Sequence, residues 1–313
     1  MKKIIVIGEI LVEIMADTAG TGFSGPIALT GPFPSGAPAI FIDQVARVGV
    51  PSGIVSCVGD DDFGRVNLDR LRADGVDISA VEIHPDRPTG SAFVRYRADG
   101  SRDFVFNIRH SACGHLPQGP QVEALIDSAG HLHVMGSSLS SPDVIAFNIA
   151  TARRIRAGGG TVSFDPNLRK EILTLPGMTE AMQAILELTD LFLPSGAELT
   201  LLTQAETEDE AVAELLARGI RTVVHKRGAV GATCHDATGS RFVPAFAVEE
   251  IDPTGAGDCF GGAFTALWLQ GASPDEALSL AAAAGALAVT RRGPMEGASD
   301  LATLRAFAAS RHE

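Results

Sequence analysis

The sequence predicts an α/β protein of three layers: a mostly parallel central sheet, helices on both of its faces, and a small second sheet standing outside it. Three observations carry that reading. The chain opens on a short β-branched run, residues 3–7, closed by Gly8, which reads as a buried strand of a parallel sheet. Beyond residue 130, apolar runs of strand length alternate with stretches of helical spacing, the rhythm of right-handed βαβ crossovers. Between these parts, residues 91–97 and 104–108 form two alternating runs around Ala98-Asp99-Gly100, a hairpin signal that a parallel sheet does not use.

Taken in order, the first strand is followed by residues 16–36, rich in Gly, Pro, Ser and Thr. They read as loops and edge strands. Helical spacing starts at 39 and runs to 48, residues 54–58 return to strand, and 63–74 form a helix stopped by Gly75. After the hairpin, strands are expected at 131–135, 161–164, 191–193 and 222–225, with helices at about 143–157, 177–189 and 206–218. Residues 257–270 and the Ala-rich 275–290 close the chain as helices. No internal repeat or long linker interrupts the 313 residues. One domain with an excursion is expected.

The apolar fraction of 45% is that of an ordinary globular protein, and the formal net charge is −13 with no basic run longer than two residues. That argues against nucleic acid or an anionic membrane as the main partner. Cys57, Cys113, Cys234 and Cys259 lack metal or disulfide spacing, so reduced thiols and a cytoplasmic location are expected. Glu9 and Glu13 interrupt the opening apolar run and no small-residue cleavage site follows, so it reads as a strand rather than a signal peptide. No stretch approaches the roughly 18 apolar residues of a membrane span.

The chemistry is expected at Ile251-Asp252-Pro253-Thr254-Gly255-Ala256-Gly257-Asp258, just before a helix. Gly255, Ala256 and Gly257 have little or no side chain, so a ligand can approach their backbone. Their N–H groups would stand at the helix N-terminus, which favours an anion. Asp258 in the same first turn could accept a hydroxyl proton while those amides stabilise a transferring phosphoryl group. A plain helix cap uses the same residue types. What sets this segment apart is the pair of carboxylates bracketing T-G-A-G.

The segment 252–258 resembles the C-terminal signature of the ribokinase-like, or PfkB, carbohydrate kinases, and four further segments match in order. Pro34-Ser35-Gly36-Ala37-Pro38-Ala39 is similar to the family's sugar-binding glycine segment. Val58-Gly59-Asp60-Asp61-Asp62-Phe63-Gly64 resembles the G-x-D-x-x-G turn that follows it. Asp165-Pro166-Asn167-Leu168-Arg169 is similar to the D-x-N-x-R segment of the fructokinase and 2-keto-3-deoxygluconate kinase branches. Lys226-Arg227-Gly228-Ala229-Val230-Gly231 is similar to a nucleotide-side K-x-G-x-x-G turn.

The resemblance implies a ribokinase-like fold with a β-sheet lid built from about 14–34 and 86–110, and ATP-dependent phosphorylation of a sugar with Mg2+. It implies Asp258 as general base, the 255–257 backbone as anion hole, and Glu13, Gly36, Ala37, Arg109, Asp165, Asn167 and Arg169 near the sugar or transferring phosphate. Lys226, Gly228 and Gly231 would meet ATP, with Gly255 and Gly257. Glu198 would serve magnesium through water, Asp252 and Thr254 a monovalent cation such as K+, and two lids would pair in a homodimer. Three residues depart from the pattern: Ser195 stands for the asparagine of N-x-x-E, Ile40 for an asparagine after the G-A-P-A turn, and Glu13, at the end of strand one, for an aspartate.

The stretches Gly31-Pro32-Phe33-Pro34-Ser35-Gly36 and Asn107-Ile108-Arg109-His110-Ser111-Ala112 resemble those of the tagatose kinases, a resemblance that implies a tagatose- or fructose-type ketohexose. 2-keto-3-deoxygluconate is the alternative substrate. The chain has no G-x-x-x-x-G-K-[ST], no G-x-G-x-x-G after its first strand and no G-x-S-x-G, which argues against P-loop kinases, dinucleotide dehydrogenases and serine hydrolases. A non-catalytic sugar sensor on the same fold is the remaining rival. The retained Asp258 speaks against it.

Overall fold

The computed structural model describes residues 2–168 and 177–310. Its main sheet is built on β1 (Lys3–Ile7), flanked in parallel by β4 (Ser52–Gly59) and β8 (Ala129–Met135). Every side chain of β1 after Lys3 is buried. Ile4 and Val6 join one apolar layer, Ile5 and Ile7 the other. That division follows from the two-residue period of a strand, and it makes three layers of the fold. β5 (Val81–His84) closes the edge beyond β4; on the other side β9 (Thr161–Asp165), β10 (Leu191–Phe192) and β11 (Thr222–Lys226) continue the parallel order outward from β8.

Two antiparallel strands, β12 (Gly231–Asp236) and β13 (Gly239–Pro244), complete a sheet of nine among the described residues. Sequence reading missed this last hairpin, whose first strand is buried over Gly231, Ala232, Thr233 and Cys234 while its second is exposed along much of its length. One face of the sheet carries α1 (Ala37–Arg47), α2 (Asp62–Ala73), α8 (Ala256–Gln270), α9 (Pro274–Ala288) and α10 (Leu301–Ala309). The other carries α3 (Pro120–Ser128), α4 (Pro142–Ala157), α5 (Met178–Leu186), the single-turn α6 (Glu198–Leu201) and α7 (Glu208–Ala217). Helix starts follow capping chemistry: Asp61, Ser141, Ser273 and Asp300 each accept an amide of the first turn, and Thr207 with Glu210 forms a capping box.

The second sheet has four strands, ordered β3 (Leu29–Ser35), β2 (Leu11–Ala16), β6 (Gly90–Tyr96) and β7 (Arg102–Asn107). The expected hairpin is β6–β7, with Tyr96 paired to Arg102 across its turn. One expectation is corrected here. Glu13 does not end strand one: the chain breaks at Gly8, and Glu13 lies in β2, within the small sheet. The run 3–16 is apolar nearly throughout, so its division into two strands of different sheets comes from the pairing of β2 with β6, which no local pattern announces.

Candidate active site

The carboxyl ends of β8, β9 and β11 and the N-terminus of α8 converge on one point. In a parallel α/β sheet this is the end where ligands bind. Asp165 ends β9, is 2% exposed, and accepts a short ion pair from Lys226 Nζ at the end of β11. Asn167 N–H donates to Asp165 Oδ1 at 3.1 Å, and Asn167 Nδ2 donates to Asp258 Oδ1 at 3.1 Å. Asn167 holds φ 39, the left-handed region that asparagine tolerates better than most residues. That turn swings its amide toward α8.

Asp258 is the third residue of α8 and is largely buried, while Gly257 before it is exposed. Gly255 caps the helix with φ 83, and a Cβ there would meet the Pro294 carbonyl at 2.4 Å. The first amides of an α-helix have no acceptor within the helix, so the 255–257 turn presents N–H groups to the same space as Asp258. A side chain begun on Gly257 would stand 3.9 Å from Lys226 Nζ. The structure therefore gathers Asp165, Asn167, Lys226, Gly255, Ala256, Gly257 and Asp258.

Glu198 joins from α6: its carboxylate accepts Leu168 N–H and Ser195 N–H, both at 2.7 Å. Burial and the nearby Asp165 hold it above the usual carboxylate range. Ser195 contributes to this contact through its backbone amide, so the missing asparagine leaves this grip on Glu198 in place. Lys226 sits deeper than a nucleotide-side turn suggests, inside this cluster. Gly228 (φ 54) is exposed on the turn to β12, whereas Gly231 packs so closely that a Cβ would meet the Val243 carbonyl at 2.2 Å. The glycine at 231 is required by the β12–β13 packing itself.

A second group lies around the start of α1. Gly36, φ 111, approaches the Glu9 carbonyl so closely that a Cβ would stand 2.4 Å from it. Ser35 Oγ donates to Glu13 Oε2 at 3.3 Å, and Ser138 Oγ donates to Glu9 Oε2 at 2.6 Å. Glu9 and Glu13 are 7% and 3% exposed. Ala37 opens α1, and Ile40, buried one turn on, lies 3.3 Å from where a Gly255 side chain would start. Phe41 and Gln44 then face Gly261 and Gly262. So α1 and α8 run side by side with both N-termini at the same end, and Ile40 gives that end an apolar wall.

Arg109 is exposed at the end of β7 and lines two cavities, of about 630 and 670 Å3, whose described linings include neither Asp165 nor Asp258. Arg169 lies outside the described residues. The G-x-D-x-x-G turn proves structural: Asp61 caps α2 and takes the Thr89 amide and hydroxyl, tying β4 to the start of β6.

Asp252 and Thr254 have protein partners that sequence reading missed. Asp252, 1% exposed, accepts Tyr96 O–H at 2.5 Å and Thr254 N–H at 3.0 Å on Oδ1, and Gly293 N–H at 2.9 Å on Oδ2. Tyr96 Oη lies 3.0 Å from Thr254 Oγ1, which Arg102 Nη1 approaches to 3.3 Å. Asp252 and Thr254, expected beside a monovalent cation, are thus joined here to the small sheet by hydrogen bonds. The alternating runs placed Tyr96 on the hairpin; nothing local pointed it at a residue 156 positions away.

A family profile described as "pfkB family carbohydrate kinase" matches residues 1–301. The chain is 32% identical over 308 residues to the 2-dehydro-3-deoxygluconokinase of Thermoproteus tenax, covering 95% of this chain and 91% of that one. Among solved structures, an E. coli protein provisionally named ribokinase II, in complex with ATP and Mg2+, matches with TM-score 0.93 and 48% identity, over 99% of this chain and 100% of that one. A double mutant of Vibrio cholerae fructokinase holding fructose, ADP and a potassium ion matches with TM-score 0.83 and 28% identity, over 98% of both.

Proposed function

The chain belongs to the pfkB family of carbohydrate kinases, and on that premise we propose that it transfers the γ-phosphoryl group of ATP to a hydroxyl of a neutral ketohexose of the fructose or tagatose type. The observation that carries the reading is the linked set Asp258–Asn167–Asp165–Lys226 at the N-terminus of α8. Asp258 takes the proton of the attacking hydroxyl as its oxygen bonds to the γ-phosphorus. The bond from that phosphorus to the β–γ bridging oxygen breaks, and ADP leaves with the electron pair.

Asn167 orients Asp258 from one side. The amides of the 255–257 turn and the Lys226 ammonium face the equatorial oxygens, where charge is spread in the transition state. Gly228 opens the β11–β12 turn toward the nucleotide. Magnesium fits through Glu198, whose oxygens each take one backbone amide and keep room for a metal-bound water. When bound with ATP, the ion neutralises the phosphates. The ATP and Mg2+ in the E. coli relative support the use of both by this chain.

A neutral sugar is favoured by the charge around α1: Glu9 and Glu13 are both buried there, suited to accept sugar hydroxyls and unfavourable to a carboxylate. Arg109, with Arg169 beyond it in sequence, is the group a carboxylated sugar would need, and the resemblance to a 2-dehydro-3-deoxygluconokinase keeps that substrate as the second reading. The small sheet acts as the lid over the sugar. Its exposed Val105 side suits pairing with a second copy.

A coupled ADP-release screen across tagatose, fructose, psicose, 2-keto-3-deoxygluconate, ribose and nucleosides tests the substrate. The highest kcat/KM is expected for a ketohexose; a preference for 2-keto-3-deoxygluconate overturns the neutral-sugar assignment. Asp258→Asn is expected to cut kcat by about 10²–10⁴ with the fold intact. Unchanged turnover in that variant removes Asp258 as the base.

A further inference from the structure

The buried Asp252 carboxylate opens the turn that forms the anion hole, yet it is answered by the small sheet. The hydrogen bonds around it assign themselves. Tyr96 O–H faces a carboxylate oxygen at 2.5 Å, which can only accept, so the phenol donates. Thr254 O–H then donates to Tyr96 Oη across 3.0 Å, and its oxygen accepts Arg102 Nη1–H across 3.3 Å. The result is a chain with one direction throughout: guanidinium, hydroxyl, phenol, carboxylate. A positive charge stands at one end and a negative one at the other.

A monovalent cation on Asp252 Oδ1 would compete with the phenolic O–H for that oxygen and would stand near the Arg102 guanidinium. The Gly293 and Thr254 amides already take further lone pairs of the carboxylate. Each of those displacements costs a charge-assisted bond or a like-charge contact. The small sheet is fixed to the same region a second time, where Arg292, next to Gly293, donates to Asp17 Oδ1 at 2.7 Å and Ala16 O at 3.3 Å.

The geometry points to Tyr96 and Arg102 as positioning residues that take the place of a monovalent cation at Asp252, so that phosphoryl transfer by this protein needs no K+ and the anion hole is set by the seating of the small sheet. The inference rests on the kinase reading above. It separates this chain from the fructokinase structure that holds a potassium ion. The 255–257 turn is braced through Asp252, so the latch acts on the transition state more than on ground-state ATP binding.

The test measures initial rates of the full-length protein with its best sugar in chloride salts of K+, Na+ and tetramethylammonium at one ionic strength. The wild-type kcat is expected to agree within about twofold across the three salts. A wild-type rate that falls about tenfold or more when tetramethylammonium replaces K+ overturns the inference. Tyr96→Phe, checked for fold by its thermal midpoint, is expected to lose about tenfold in kcat in tetramethylammonium, with KM for ATP little changed. It is also expected to regain part of that loss in K+, which a purely structural role would not produce. Full activity of Tyr96→Phe in tetramethylammonium also overturns it. If that variant does not fold, the wild-type comparison still decides. Absence of sugar phosphorylation in every salt would instead count against the kinase reading.

Discussion

Gly255 and Gly257 stand two residues apart and are glycine for different reasons. At 255 the backbone is left-handed and a Cβ would collide with the Pro294 carbonyl; at 257 the backbone is helical, and the nearest atom a Cβ meets is Lys226 Nζ, at 3.9 Å. Gly255→Ala is therefore expected to lower stability by about 2 kcal/mol or more, read as a drop in thermal midpoint. Gly257→Ala should fold as well as the wild type, since alanine gains up to about 1 kcal/mol over glycine within a helix. On the proposed mechanism it should nonetheless lose kcat, because the methyl group would stand in the approach to the phosphoryl group. Opposite behaviour of the two variants would reverse the roles given to them. From sequence the two glycines were equivalent members of one loop; only the carbonyl of Pro294, brought in from nearly forty residues onward, tells them apart.

At the scale of the element, β8 carries His131 and His133 with 1% and 0% exposure, bound to Thr161 and Ser163 of the adjacent β9. Burial pushes His131 down to about 3 and His133 well below its ordinary value of 6.5. Their folded pKa values are depressed, so the neutral rings contribute stability that is complete above pH 6.5. It is lost as the pH falls from there toward about 3. Over that window each histidine is expected to cost up to about 1.4 kcal/mol per pH unit. Thermal midpoints measured from pH 7.5 to 4.5 should decline, and His131→Asn should flatten the slope. A slope unchanged in that variant places the acid sensitivity elsewhere. The same scale shows what local pattern reveals. The parallel strands from β8 to β11 and the α4, α5, α7, α8 and α9 helices were readable, since each buries an apolar run of the right period. β2, β5, α3, β12, β13 and α10 were not, because their burial is one-sided or depends on partners far along the chain.

For the molecule as a whole, the small sheet is held to the α/β body by side chains that sequence reading left unassigned: Tyr96 and Arg102 at the turn before α8, and Arg292 reaching back to Asp17. The family motifs pointed to the residues of the candidate cluster because these lie in short, spaced segments. They said nothing of these ties, each of which joins positions 150 or more apart. If this sheet is the proposed lid, its closing over sugar should exclude water, and ATP hydrolysis without sugar is expected to be slow. Arg292→Ala, which loosens one tie without touching Asp258, should raise KM for the sugar several-fold, with a smaller change in kcat. Rapid sugar-independent hydrolysis by the wild type would count against the closing lid. Light scattering that finds a monomer at working concentration would remove the paired-lid assembly.

Tyr96 is the only tyrosine in the chain, and Trp268 the only tryptophan. The near-ultraviolet phenol signal of this protein therefore comes from one hydroxyl, the one donated to Asp252. Burial and that carboxylate hold the phenol above its ordinary ionisation range, so in alkaline titration its phenolate should appear later than that of a free tyrosine, and earlier if the small sheet lifts from the body. The protein carries a built-in optical reporter at the joint between its two sheets, and no label is needed to watch that joint open.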